Sequence, residues 1–181
     1  MKIFQLIILI QIGLLSTLFV GCGVGGSGGG SGSDASSDLA ANVEVAVSPG
    51  VVDTGDRTTA TIYIDNISED GVVIKLRFPI GVRYILGTSE LQIDGDSIAV
   101  APTTNVSDEK NSYLVYFFRK SLFGDSSAFL ELKLLATAKV AKGLVEVDAD
   151  LNDVSVDDQD EFLVATPNFS AQGSDGITVN D

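Results

Sequence analysis

The sequence has 181 residues, of which 25 are acidic, 11 basic and none histidine, and its formal net charge is −14. That balance excludes a nucleic-acid binder, which needs a basic stripe. Without histidine, Ser-His-Asp and Cys-His catalysis and His-bearing zinc sites are excluded too, and a single cysteine, Cys22, excludes an intrachain disulfide.

The chain opens on Met1 and Lys2 and then runs without a charge from Ile3 to Gly21. Lys2 is a short positive region, Ile3 to Val20 an apolar one, and small residues follow at Gly21 and Gly23. This order of charge, apolar run and small residues is that of a secretory signal. The apolar run is also close to the length of a membrane span, so length alone leaves both open.

Phe19, Val20, Gly21 and Cys22 resemble the lipobox of bacterial lipoproteins, in which a small residue precedes a cysteine at the end of the apolar run. Phe19 stands where that family most often has Leu. The resemblance implies that residues 1–21 are a cleaved signal peptide. It also implies that Cys22 carries a diacylglycerol and becomes the mature N-terminus. Two or more acyl chains anchor stably where one does not. In lipoproteins of two-membrane bacteria, Asp after the cysteine holds the protein at the inner membrane. Gly23 therefore implies the outer membrane in such a cell.

Gly23 to Ser37 reads GVGGSGGGSGSDASS. Such a composition buries no core, and residues 22–38 are read as a lipidated cysteine and a flexible Gly/Ser tether. A linker of this kind reaches roughly 20 Å. It is not a phosphate loop, because no Gly-Lys-Ser/Thr follows it.

Residues 39–181 suffice for one domain. Its acidic excess argues against flat docking on anionic lipid. Alternation of apolar and polar residues predicts strands at Val43–Val47 and at Thr58–Asn66, the latter with Ala60, Ile62 and Ile64 inward. Val72–Phe78 stops at Pro79, and Tyr113–Phe118 is apolar on both faces, as an interior strand is. Phe129–Leu135 puts Leu130, Leu132 and Leu134 inward. Leu144–Leu151 puts Val145, Val147, Ala149 and Leu151 inward and Glu146, Asp148 and Asp150 outward. Glu161–Ala165 and a tail at Ile177–Val179 complete the set. Turn clusters separate them at Asp53–Asp56, Glu69–Gly71, Asp94–Gly95, Phe123–Asp125 and Lys142–Gly143. About seven to nine short strands at this spacing predict an all-β fold, an Ig-like antiparallel β-sandwich. Leu130 to Lys142, rich in Leu, Ala and Lys, is read as a strand and then a loop.

The stretch Thr59–Asn66, followed by Ile74 to Val82 with its Phe-Pro-Ile-Gly corner, resembles DUF11 and CARDB-type Ig-like surface repeats. Phe123–Leu132 and Gly143–Asp148 resemble their later strands, and the likeness covers Asn42 to Asp160 in a single copy. The usual closing Asp-x-Asn-x-x-Asn is missing. Cohesin domains share parts of the rhythm, so both subfamilies stand. The resemblance implies a stalk, adhesion or assembly module.

Carboxylate chemistry alone remains open to such a chain, and nothing in the sequence singles out a pair of acids for it. Calcium is a further possibility. Asp148, Asp150 and Asn152 begin like an EF-hand loop, but Asp153 replaces the required Gly and Gln159 the closing Glu. Asp153, Asp157, Asp158 and Asp160, with Glu161, form a candidate edge site for Ca²⁺, although acidic runs are more often solvated faces. The sequence is thus read as an envelope lipoprotein outside the cytoplasm. It carries a non-catalytic domain that contacts another envelope or surface protein, with a membrane partner through lipid, no cofactor and no nucleic acid. The alternative is a periplasmic ligand- or calcium-binding β-sandwich.

Overall fold

A computed structural model describes residues 40–152 and 167–181. One compact unit runs from Ser36 to Asp181. Twelve strands and one short helix lie among the described residues: β1 (Asn42–Ser48), β2 (Val51–Asp53), β3 (Arg57–Asp65), β4 (Val72–Pro79), β5 (Val82–Tyr84), β6 (Glu90–Ile93), β7 (Asp96–Ala99), β8 (Thr104–Ser107), β9 (Asn111–Phe118), α1 (Lys120–Phe123), β10 (Ala128–Ala136), β11 (Val140–Leu151) and β12 (Gly173–Asn180). They form two sheets. One has the order β1-β3-β10-β6-β7, with β5 also paired to β10. The other has the order β2-β12-β11-β4-β9-β8. All pairings are antiparallel except that of β2 with β12, which is parallel.

The core lies between the sheets and follows from alternation. Ala60, Ile62 and Ile64 of β3 and Leu130, Leu132 and Leu134 of β10 are fully buried on one inner face. Ile74, Leu76 and Phe78 of β4, Leu114 and Tyr116 of β9, and Val145 and Val147 of β11 meet them from the other. Each such leucine or isoleucine contributes about 1.5–3 kcal/mol through burial. The predicted inward sets of β3 and β10 are the observed ones, and β11 differs only at Leu151, which is half-buried.

Seven strands overlap the predicted ones, but β11 begins at Val140, so the predicted turn at Lys142–Gly143 lies inside a strand, where the pairing with β12 shifts register between Val140 and Gly143. Five more, β2, β5, β6, β7 and β8, have three or four residues each, too few for alternation to mark them. β7 is exposed throughout. The predicted strand Glu161–Ala165 lies outside the described residues. The chain leaves β4 at Pro79 and crosses between the sheets through Ile80 and Gly81 to enter β5. Gly81 is obligatory at this corner, since a Cβ there would lie 2.7 Å from the Ala138 carbonyl oxygen. No described helix is long and apolar enough to cross a membrane.

Candidate functional site

Cys22 and the calcium candidates Asp153, Asp157, Asp158 and Asp160 lie outside the described residues. Among the described residues no group of three or more acidic, Cys or His side chains is arranged to hold a metal.

The acids of β11 face outward from the sandwich, as alternation predicts, but Asp148 is not in solvent: it is 1% exposed. Register explains this. Glu146, Asp148 and Asp150 lie opposite Arg77, Lys75 and Val73 of β4. Lys75 Nζ sits 2.7 Å from Asp148 Oδ2 and also pairs with Asp150. Arg77 Nε donates to Glu146 Oε2 at 2.8 Å. That bond, more than burial opposes it, raises the arginine above its ordinary pKa. The segment from Pro167 to Gln172 crosses this face. Lys75 donates to the Asn168 carbonyl at 2.6 Å, the Ser170 amide donates to Asp148 Oδ2 at 2.7 Å, and Phe169 lies with its ring centroid 4.4 Å from Arg77 Cζ. Lys75 and Asp148 are desolvated, Arg77, Glu146 and Asp150 only in part, and all are engaged in ion pairs, so the network works as a clasp that fastens this segment to the sheet.

Two other polar clusters are structural. Tyr84, Ser89 and Tyr116 form a buried hydroxyl chain, with oxygen separations of 2.8 and 2.7 Å. Burial pushes the Tyr116 hydroxyl well above the usual phenol range. Asp108 caps the β8–β9 turn by accepting from the amides of Lys110 and Asn111 and from Tyr113 Oη. These bonds, the Lys110 amide first, hold its carboxyl below the usual range.

One feature open to a ligand is a cleft of about 600 Å³ lined by residues of β3, β4, β5, β8, β9 and β10. Leu135 of β10 is paired with Arg57 of β3 on one side and Arg83 of β5 on the other, so the three side chains share one row of the sheet. Leu86, 76% exposed, and Ile85 add apolar surface. Asn105 and Ser107 of β8, with Ser112 of β9, supply amide and hydroxyl groups. No acidic residue lines the cleft. Neither Arg57 nor Arg83 forms an ion pair with a described residue. In a chain of net charge −14, two arginines left unpaired beside apolar surface make a place for an anionic group, which guanidinium binds through a planar fork of donors. The lining offers guanidinium, amide and hydroxyl groups to a ligand.

No sequence pattern singles out these residues as a site, and Leu135 enters only as the end of a predicted strand. Arg57, Arg83 and Asn105 are distant in sequence and meet only through strand pairing, so no local pattern marks them. Lys75 and Arg77 did leave a signal, since they alternate within an otherwise apolar run in the same rhythm as Glu146, Asp148 and Asp150.

No protein-family model and no curated protein matches the chain. Solved structures do resemble it in fold. The N-terminal domain of the Streptococcus gordonii adhesin Sgo0707 aligns with a TM-score of 0.51 at 11% identity, over 77% of this chain and 32% of that one. The T6 backbone pilin of serotype M6 Streptococcus pyogenes gives 0.48 at 8% identity, over 77% and 36%. A cohesin module from a Clostridium perfringens family 33 glycoside hydrolase gives 0.37 at 15% identity, over 78% and 98%. An enzyme of alchivemycin A biosynthesis also stands among the neighbours. The chain thus spans about a third of the length of the adhesin and pilin chains. The likeness to the adhesin domain bears on the fold alone, and with the two sheets described above that fold is a β-sandwich.

Proposed function

We propose that this chain is a lipid-anchored envelope protein whose sandwich makes non-catalytic contact with another envelope or surface protein through the Arg57–Arg83 cleft. The observation that carries the reading is the pair of arginines flanking Leu135, neither ion-paired with a described residue, in an otherwise acidic molecule. Solvent-facing charges beside exposed apolar side chains such as Leu86 are the composition of a contact site, where arginine is enriched. The reading is also supported by the fold shared with the adhesin domain.

On this reading, residues 1–21 direct export, Cys22 takes lipid, and residues 22–38 tether the sandwich outside the cytoplasm. A photo-reactive phenylalanine analogue in place of Leu86, in cells of the native organism, tests the contact. Irradiation is expected to give one dominant protein adduct, which the R57Q/R83Q variant loses. An expressed, folded protein that gives no adduct, or gives it equally with both arginines replaced, counts against this reading and in favour of a soluble-ligand module.

A further inference from the structure

We infer that the cleft receives an extended acidic segment of the partner, which adds as a strand to the free edge of β8 while Arg57 and Arg83 bind its carboxylates; this rests on the protein-contact reading above. Among the described residues, β8 ends its sheet and pairs only with β9. Its hydrogen-bond phase follows from the turn beyond it, where the Asp108 amide donates to the Asn111 carbonyl at 2.9 Å. Bonded pairs alternate along an antiparallel ladder, so Val106 bonds to Tyr113 while the N–H and C=O groups of Asn105 and Ser107 point away from β9. Asn105 and Ser107 are exposed, and both line the cleft. A row of outward backbone groups on an edge strand is a template for an added strand.

Charge selects which strand. The arginines belong to β3 and β5, two strands apart across β10, and adjacent strands are roughly 4.8 Å apart, so their backbones are separated by about 10 Å. Alternate residues of an extended peptide lie roughly 6.8 Å apart on one face, a spacing that two flexible arginine side chains can span. Acids at alternate positions therefore meet both guanidinium groups. The intervening residues turn to the opposite face, away from the row that Arg57, Leu135 and Arg83 share. Lysine-bearing strands are rejected by the same two charges.

The test uses the exported domain from Cys22 onward with Cys22→Ser, and three fluorescein-labelled hexapeptides that alternate valine with glutamate, lysine or threonine. Anisotropy is expected to show binding of the glutamate peptide only, weakening with added salt. R57Q/R83Q is expected to lose about tenfold in affinity, and R57K/R83K to lie between it and the wild type, since lysine keeps the charge without the planar fork. By NMR, amide exchange at Asn105 and Ser107 slows on binding, while that of Val106 is unchanged. The inference is overturned if the glutamate peptide fails to bind at about 1 mM, a level at which even weak contacts register. It is equally overturned if the threonine or lysine peptide binds as well, if R57Q/R83Q binds unchanged, or if succinate displaces the probe as readily as unlabelled peptide does. Failure of the peptides while the Leu86 cross-link still forms overturns the acidic-strand inference alone and leaves protein contact standing.

Discussion

Lys75 and Asp148 are the most buried charges described in the molecule, at 2% and 1% exposure, and each makes the other tolerable. Removing one partner strands the other away from water. Lys75→Met is therefore expected to cost about 3–5 kcal/mol in urea unfolding. Lys75→Met with Asp148→Asn removes both charges and keeps an oxygen to accept from the Ser170 amide, so the double variant should recover most of that loss. Equal destabilisation of the single and double variants would show that the pair is not coupled. Sequence alternation did place Asp148 on the outer face. It could not show burial there, because burial comes from Lys75 opposite it and from Phe169 and Ser170 above it, residues far apart in the chain.

At the scale of elements, long strands were legible and short ones were not. β3 and β10 alternate over nine residues each, which fixes the faces of Ile62 and Leu132 before any pairing is known. β7 has four exposed residues, and β8 has only Thr104 buried, so neither carries a pattern. The cleft depends on β5 and β8, which is why the chain yielded its core more readily than its site. The turn at Gly71 was legible, and its glycine has two separate reasons. Its φ is +89°, and a Cβ would lie 2.3 Å from the Phe118 carbonyl oxygen. Gly71→Ala should cost about 2–4 kcal/mol, from left-handed strain and from the displaced backbone. Gly87 shares a positive φ but has open space around it, so Gly87→Ala should cost only about 1–2 kcal/mol. Denaturant midpoints of the two variants decide this, and similar losses would mean that strain alone matters at Gly71.

For the whole molecule, the leader, the tether and the sandwich form one argument. On the proposed reading, a strongly acidic sandwich is repelled by anionic lipid headgroups while a lipid at Cys22 would hold it near the membrane. The proposed contact with an envelope or surface protein places the sandwich outside the cytoplasm, and the anchor is the claim that would put it there. The direct measurement is incorporation of radiolabelled palmitate in the native organism, with wild type beside Cys22→Ala. Label on the wild type alone is the expected result, and it fixes the anchor and the mature terminus together. Label on neither chain would contradict the account, because Cys22 would then carry no lipid and the envelope location would lose its basis.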